Sequence, residues 1–298
     1  MVYGNCPTCH VVYSSAETNG EQAGACRNRT GDGANCSNPS KPTVGTTTVN
    51  EPILETRGLT KRFKDFVAVN DVNLRVQHGT IHAMIGPNGA GKTTVFNLLT
   101  RFLPPTKGTI TYQGRDITRR KASDIADLGI VRSFQISAVF PNLTVLDNVR
   151  VALQRHLGLS YHFWRSDSIL GSLDNRAMSL LDAVGLADFA DTVSVELAYG
   201  RKRALEIATT LALDPKLLLL DEPTQGMGTE DVGRITGLIR EVAAERTVLM
   251  VEHNLGVVAE LADTISVLNQ GEVLAEGPYA EISRNEDVMT AYMGTASA

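Results

Sequence analysis

One glycine-rich segment, residues 86–93, combines residue types that bind phosphate groups. It reads Gly-Pro-Asn-Gly-Ala-Gly-Lys-Thr and matches the pattern G-x-x-x-x-G-K-[S/T]. Glycines let the backbone curl so that successive N–H groups point inward at an anion, and the start of a following helix adds its positive end. We expect Lys92 to reach the β- and γ-phosphates of ATP and the Thr93 hydroxyl to ligate Mg²⁺. A purely structural turn is the alternative. The predicted ATP-binding residues of this segment are Gly86, Pro87, Asn88, Gly89, Ala90, Gly91, Lys92, Thr93 and Thr94.

Two adjacent carboxylates could supply the hydrolytic chemistry that such a phosphate loop lacks. Asp221 and Glu222 follow Leu217–Leu220, an apolar run typical of a buried strand. At the carboxyl end of that strand, Asp221 is expected to hold Mg²⁺, and Glu222 to polarise the attacking water as a general base. A core strand that simply meets an acidic turn is the alternative.

The glycine-rich segment and the two carboxylates need strands and helices that position them. Ile81–Ile85 is a continuous apolar run, which predicts a buried strand that leads into the glycine-rich segment. A helix is predicted directly after Thr93, because apolar residues recur at helical spacing and Pro104-Pro105 would stop it. The apolar residues of that helix are Val95, Leu98, Leu99, Phe102 and Leu103.

The rest of the chain continues the alternation of strands and helices. Residues 216–220 and 247–251 are predicted strands, and residues 265–277 a hairpin with its turn at Asn269-Gln270-Gly271. A further helical stripe comprises Val232, Ile235, Leu238, Ile239 and Val242. This alternation predicts an α/β fold whose mostly parallel sheet is covered on both faces. The helical pattern of residues 141–213 predicts an inserted helical subdomain.

Composition is that of an ordinary globular protein. The chain has 298 residues, of which 43% are hydrophobic and 20% charged, and its formal net charge is −5. An acidic chain gives no electrostatic reason to expect nucleic acid as a partner. No apolar run approaches the roughly 18 residues of a membrane span, and the N-terminus does not resemble a secretory signal. We therefore expect a cytoplasmic protein.

Residues 1–50 differ from the remainder. They are rich in Gly, Ser, Thr, Asn and Pro without a period of strand or helix, which predicts a disordered tail. Cys6 and Cys9 have the spacing of half a zinc site, but Cys26 and Cys36 do not repeat that spacing. A tail, or a start codon placed too far upstream, is therefore favoured over a metal site.

Three further short segments have a characteristic order along the chain. Gln135 in Arg-Ser-Phe-Gln, the segment Leu-Ala-Tyr-Gly at 197–200, and His253 in Val-Glu-His-Asn are spaced along the chain as in ATP-binding-cassette (ABC) ATPases. Over about residues 53–294 the sequence resembles that family. The resemblance implies a P-loop NTPase (ABC ATPase) fold, with an antiparallel β subdomain beside the parallel sheet, for a domain spanning residues 51–298.

Within the family, the chain resembles the ATP-binding subunits of branched-chain amino acid importers. Its ending is similar to theirs in the segments 275–277, Ala-Glu-Gly, and 291–294, Ala-Tyr-Met-Gly. The step of 62 residues from Gln135 to Leu197 resembles the longer of the two ATPases that such importers carry.

The resemblance implies a role for each matched residue. Phe63 would stack on adenine, although Phe66 is a rival and a core position is the alternative. Gln135 would contact Mg²⁺ and the attacking water, and would report the nucleotide state to a membrane subunit. His253 would hydrogen-bond the γ-phosphate near Glu222. The predicted catalytic residues are thus Glu222, His253 and Gln135, and the predicted Mg²⁺ ligands are Thr93, Gln135 and Asp221.

Residues 197–201 correspond to the family's signature segment, which lies at a helix N-terminus and faces the γ-phosphate bound by a second subunit. The residues predicted to face a partner's ATP are Leu197, Ala198, Tyr199, Gly200 and Arg201. Ala198 lacks the serine hydroxyl that is usual in the family. Arg201 replaces the usual glutamine, so it could offer a charged fork to nucleotide or be a solvated arginine. Gly228 stands where an aspartate usually ends the loop after Glu222.

The resemblance implies an ATP- and Mg²⁺-dependent ATPase, peripheral on the inner face of the cell membrane, that powers uptake of branched-chain or related amino acids or amides. Implied partners are an identical or paralogous second ATPase subunit, membrane permease subunits and, indirectly, a periplasmic or extracellular substrate-binding protein. Tyr161-His-Phe-Trp164 would pack within the helical subdomain or contact a membrane partner. Another transported substrate, or a soluble ABC ATPase outside transport, is the alternative.

Overall fold

The computed structural model describes residues 51–133, 139–155 and 173–293, which two β-sheets organise. The strands are β1 Leu54–Phe63, β2 Phe66–Val76, β3 Ile81–Ile85, β4 Lys107–Tyr112, β5 Arg115–Asp116, β6 Ile130–Arg132, β7 Leu217–Asp221, β8 Thr247–Val251, β9 Thr264–Asn269 and β10 Glu272–Gly277. The helices are α1 Lys92–Leu99, α2 Ala122–Asp127, α3 Val145–Gln154, α4 Asp174–Ala183, α5 Tyr199–Leu211, α6 Thr229–Ala243, α7 Leu255–Leu261, α8 Tyr279–Ile282 and α9 Glu286–Met293. The predicted tail, Gln135 and the segment 161–164 lie outside the described residues.

The larger sheet has six strands in the order β10-β9-β3-β8-β7-β6 and is parallel apart from the β9–β10 hairpin. Side chains of β7 alternate between two core clusters: Leu218 and Leu220 belong to one, and Leu217 and Leu219 to the other. Burial on both faces explains why this strand is a continuous apolar run. The predicted α/β fold with a covered, mostly parallel sheet is therefore confirmed.

The register of the larger sheet aligns the ends of three strands. Val251 at the end of β8 pairs with Met84 of β3 on one side and with Asp221 of β7 on the other. Because these strands are parallel, the chain leaves all three at the same edge of the sheet. We call this edge, formed by the carboxyl ends of β3, β7 and β8, the phosphate edge.

The smaller sheet is antiparallel, with the order β2-β1-β4-β5. It is joined to the larger sheet through the turn of the β9–β10 hairpin. The amide of Gly271 in that turn donates to the carbonyl of Ala90 at 3.0 Å, and its carbonyl accepts from the amide of Asn70 on β2 at 2.8 Å. Gln270 and Gly271 both have positive φ, as a two-residue turn between twisted strands requires. The predicted hairpin and antiparallel subdomain are confirmed.

Helix α1 is shorter than the apolar spacing predicts. It ends at Leu99, and Arg101 then takes a left-handed conformation with φ of 61°. The amide of Leu103 turns back to the carbonyl of Asn97 at 3.0 Å, which directs Leu103 toward the core. Phe102 is consequently 56% exposed, so its placement in the buried helical stripe was wrong. Pro104 follows the break and is not its cause.

Helices α3, α4 and α5 occupy much of the predicted insertion, and Val149, Leu181 and Leu205 from the three helices share one core cluster. The inserted helical subdomain is present, while its limits at 141 and 213 stay a prediction. The predicted stripe of α6 is buried at Ile235 and Leu238, as the helical period requires. Among the described helices, none has the length and hydropathy of a membrane span.

Candidate nucleotide site

The glycine-rich loop joins β3 to α1, as predicted, and two of its glycines have no room for a side chain. Gly86 has φ of 149°, and a Cβ there would lie 2.1 Å from the carbonyl oxygen of Leu268. Gly91 has φ of 102°, and a Cβ there would lie 2.6 Å from the carbonyl oxygen of Ala68. Glycine therefore allows the loop to curl while it packs against β9 and β2.

The N-terminus of α1 is suited to bind an anion. Its N-cap is Gly91, which provides no side-chain acceptor, and its first turn contains no acidic residue. The first amides of a helix have no acceptor within the helix, and the helix dipole favours negative charge there. Thr93 is exposed and Thr94 half-buried in this first turn. The local structure thus provides the amide donors that the sequence predicts for phosphate.

Lys92 is buried at the start of α1, and its ammonium lies within the loop. Its Nζ donates to the carbonyl oxygens of Gly86 at 2.6 Å and Pro87 at 2.9 Å. Burial lowers the pKa of Lys92, and the carboxylates of Glu222 and Asp221 partly oppose that shift. A cation held by neutral carbonyls and facing two carboxylates is placed to bind the terminal phosphates of a nucleotide.

Asp221 is fully buried at the end of β7. One carboxylate oxygen, Oδ2, forms an ion pair with the guanidinium of Arg132, whereas Oδ1 has no hydrogen-bond partner among the described residues. A buried carboxylate oxygen without a partner is costly unless it meets a cation or water. Oxygen ligands of this kind, with the Thr93 hydroxyl, fit Mg²⁺.

Glu222 follows in a strained backbone conformation. Its φ is 48°, a left-handed value that is uncommon for glutamate, and its amide donates to the carbonyl of Val251 at 2.9 Å. The side chain is 11% exposed, and its Oε1 lies 2.7 Å from Nε2 of His253, which is 39% exposed. Strain of this kind is typical of functional positions. The structure thus brings together the predicted general base and the predicted histidine.

Glu252 was not predicted as a functional residue. It joins the loop that follows Glu222 to the loop that carries His253. Its Oε1 accepts from the amide of Thr224 at 3.0 Å and from the Thr224 hydroxyl at 2.7 Å. Its Oε2 accepts from the amides of His253 at 2.9 Å and Asn254 at 3.2 Å. The available signal in the sequence was an acidic residue between the predicted strand 247–251 and His253. A carboxylate buried at such a position needs several hydrogen-bond donors.

The signature segment begins α5 as predicted, with Ala198 at the N-cap and no side-chain cap. The Tyr199 hydroxyl donates to the carbonyl of Gln225 at 3.2 Å, within the loop that follows Glu222. Gly200 packs so closely on α6 that a Cβ would lie 2.4 Å from Cγ of Asp231. Leu197 is buried beneath the segment.

Arg201 makes a contact that neither sequence interpretation included. Its guanidinium lies 4.0 Å from the centroid of the Phe189 ring, a cation–π distance. The side chain is half-buried, so a freely solvated arginine does not describe it. Its predicted role toward a partner's nucleotide is not tested by this contact.

Phe63 and its rival Phe66 face each other across the β1–β2 hairpin, and both are exposed, at 43% and 64%. The core alternative for Phe63 is therefore wrong. Nζ of Lys61 lies 5.1 Å from the Phe63 ring centroid. Adenine stacking stays a prediction, as does the role of Gln135, which lies outside the described residues.

Comparisons with known proteins agree with this geometry. Residues 69–225 match the family "ABC transporter", and residues 272–298 match "Branched-chain amino acid ATP-binding cassette transporter". The chain is 41% identical to the high-affinity branched-chain amino acid transport ATP-binding protein BraF of Pseudomonas aeruginosa, over 83% of this chain and 100% of BraF.

Solved structures show the same fold. The ADP conformation of MJ1267, an ATP-binding cassette of an ABC transporter, is similar with a TM-score of 0.73 and 29% identity, over 82% of this chain and 99% of that one. The dimeric cassette MJ0796, bound to ADP and Pi after hydrolysis, has a TM-score of 0.64 and 25% identity, over 76% and 98% of the two chains. The chain therefore belongs to the ABC transporter family, as an ATP-hydrolysing nucleotide-binding cassette.

Proposed function

We propose that this chain is the ATPase subunit of an importer for branched-chain amino acids or closely related amino acids or amides. Hydrolysis is supported above all by one observation, the 2.7 Å contact between Glu222 and His253 beside the buried Lys92. The cargo is supported by the similarity to BraF along its whole length and by the family match of residues 272–298.

Nucleotide binding follows from the phosphate loop. Its amides and the N-terminus of α1 hold the phosphates, and Lys92 exchanges its loop carbonyls for phosphate oxygens, which offer a charged acceptor. Thr93 and Asp221 would hold Mg²⁺, which would neutralise part of the negative charge of the phosphates. Phe63 would stack on adenine.

Hydrolysis is assigned to Glu222. Its carboxylate accepts the proton of the attacking water as general base, while His253 holds the carboxylate through the 2.7 Å contact. Because a carboxylate oxygen only accepts hydrogen bonds, that contact places a proton on Nε2 of His253. A γ-phosphate at the phosphate edge would offer the same proton a second acceptor, so the histidine can report its presence. Gln135 is proposed to help place the water.

A second cassette, identical or paralogous, is proposed to complete the site. The N-terminus of α5 lacks a side-chain cap, so its amides suit a phosphate held by another chain. Closing two cassettes on two ATP molecules would then require ATP at both phosphate edges. Hydrolysis at Glu222 would reopen the dimer.

A permease is proposed to dock in an apolar groove of about 570 Å³ that α2, α3 and α5 border. Phe102, Phe140 and Val151 line this groove and are exposed, although large apolar side chains are usually buried. Such a groove suits an amphipathic helix from the cytoplasmic side of a membrane protein. The chain would therefore work on the inner face of the membrane, and a substrate-binding protein would act on it only through the permease.

The proposal is tested by isolating the chain with its permease and measuring ATP-dependent uptake of labelled leucine, isoleucine and valine in vesicles supplied with the substrate-binding protein. Glutamate serves as a control solute, and Glu222→Gln as a control for energy supply. Uptake of the branched-chain amino acids alone, lost in Glu222→Gln, is the expected result. Uptake of a different solute class, or a chain that purifies without any permease, would contradict it.

A further inference from the structure

Two arginines with largely buried side chains hold the residue at the end of β7. Arg132 pairs with the carboxylate of Asp221, and Arg203 binds its main-chain carbonyl. The first contact restrains the side chain of Asp221 and the second its backbone. Both arginines come from elements that border the apolar groove proposed for the permease, β6 and α5.

Arg132 is fixed by more than its ion pair. Its Nη1 donates to Oδ1 of Asn97 on α1 at 2.6 Å, and its guanidinium lies 5.5 Å from the ring centroid of Phe96. The side chain is largely buried and also lines the groove. One residue thus links the groove wall, the helix that follows the phosphate loop and the carboxylate of Asp221.

Arg203 forms a second link that starts at Glu206. Its Nη2 donates to the carbonyl oxygen of Asp221 at 2.8 Å, and its Nη1 donates to Oε2 of Glu206 at 2.6 Å. Both side chains are buried, and Glu206 lines the groove. A buried ion pair cannot replace a lost partner with water at low cost, so a displacement of Glu206 must move Arg203 as well.

We propose that Arg132 and the Arg203–Glu206 pair are positioning residues that transmit occupation of the groove to Asp221 and so tune its affinity for the divalent cation of the nucleotide. The proposal rests on the proposed docking of a permease in this groove. A partner segment seated there would contact Arg132 and Glu206. Arg132 contacts Asp221 directly, and Glu206 contacts it through Arg203. Packed interiors respond to such shifts as units, because they have little free volume.

The first experiment uses the isolated full-length chain. Mn²⁺ binding to the ATP-loaded protein is measured by electron paramagnetic resonance, with ATP affinity in the absence of metal as the reference. Arg132→Lys and Glu206→Gln are expected to weaken Mn²⁺ binding about 10-fold and to leave metal-free ATP affinity within about twofold, because groups behind a metal ligand act on the metal most strongly. Arg240→Gln, which removes a surface partner of Glu260, is the matched control.

The conservative variant Glu206→Asp keeps the charge and is expected to recover part of the affinity. Thermal unfolding shows whether each variant is folded. If Glu206→Gln is not folded, the Mn²⁺ affinity of Glu206→Asp tests the role of Glu206 instead. Folded Arg132→Lys and Glu206→Gln proteins with wild-type Mn²⁺ affinity would overturn the positioning role. This arm needs no permease, so it stands apart from the proposed function.

The second experiment uses the complex with the permease. In the wild type, permease binding is expected to change the Mn²⁺ affinity of the ATP-loaded cassette several-fold, and Glu206→Gln should bind the permease but lose that change. A complex of Glu206→Gln that retains the full permease effect would overturn transmission. If no permease binds even the wild type, the proposed function fails and the first experiment alone judges the positioning role.

Discussion

The phosphate edge and the N-terminus of α5 both suit phosphate groups, but they differ in how firmly contacts within the chain hold their residues. At the phosphate edge, Lys92 is held by carbonyls of its own loop. Asp221 and Glu222 are held by partners from other parts of the chain. At α5, Ala198 provides no cap and Tyr199 is exposed. Catalytic groups need fixed positions, whereas a surface that closes on another chain must stay accessible until it does. The comparison favours a site shared between two cassettes.

The largest effect is expected at the phosphate edge. Glu222→Gln keeps the shape of the side chain but removes its basicity, so it should retain ATP and Mg²⁺ binding while hydrolysis falls by roughly 10²-fold or more. A closed ATP-bound dimer should then persist, because turnover is what reopens it. Steady-state hydrolysis and the dimer fraction are measured with the cognate permease present.

Lys92→Ala provides the contrast within the same edge. It removes a cation from the phosphate loop, so ATP affinity itself should fall and no persistent dimer should form. Nucleotide affinity separates the two variants. Hydrolysis by Glu222→Gln at the wild-type rate would mean that Glu222 is not the general base.

The strand that leads to the phosphate loop, β3, should also make the molecule sensitive to acid, through a histidine near its amino end. His82 lies in β3, where its Nε2 is 2.8 Å from the Ser266 hydroxyl, which donates to Oε2 of Glu276 at 2.6 Å. Burial lowers the pKa of His82 to about 4 from an ordinary 6.5. The unfolded chain therefore binds a proton between these pH values that the folded chain does not, and stability falls as the pH falls through that window, by roughly 3 kcal/mol.

His82→Gln removes the titrating group from β3. Its free energy of unfolding should depend less steeply on pH between 6.5 and 4 than that of the wild type, which urea titrations at several pH values measure. The two slopes should agree above pH 7, where the histidine is neutral in both states. Equal slopes in the acid range would exclude His82 as the source of the acid sensitivity.

The phosphate edge and the N-terminus of α5 also show how much of the molecule could be predicted from the sequence. The strands β3, β7 and β8 and the start of α5 follow from apolar runs and helical spacing, and the motifs predicted which loops carry the chemistry. Partners such as Arg132 for Asp221 join residues 89 positions apart, so they depend on the order of strands in the sheet. The early end of α1 depends on the left-handed Arg101, which no apolar spacing indicates.

A smaller effect is expected at the N-terminus of α5. Arg201→Gln should weaken ATP-driven closure of the dimer several-fold more than it weakens ATP binding to one cassette, because Arg201 lies in the segment that would meet the partner's γ-phosphate. Dimer formation is measured against ATP concentration in the assembled transporter. Phe189→Leu removes the ring beneath the guanidinium but keeps an apolar side chain against the core, so it separates the stacking contact from the charge. Unchanged closure in Arg201→Gln would leave Arg201 as a local packing residue.

The smallest effect is expected from removal of residues 1–47. Lys92, Asp221, Glu222 and His253 are held by contacts among residues 51–293, and the spacing of Cys6, Cys9, Cys26 and Cys36 is not that of a four-cysteine zinc site. The deleted chain should therefore keep its ATPase rate, its Tm and its dimer closure. The same measurements on the full chain, with bound zinc determined in both, provide the control. Stoichiometric zinc in the full chain, lost together with stability on deletion, would show instead that these residues form a folded metal site that supports one of the two phosphate-binding regions.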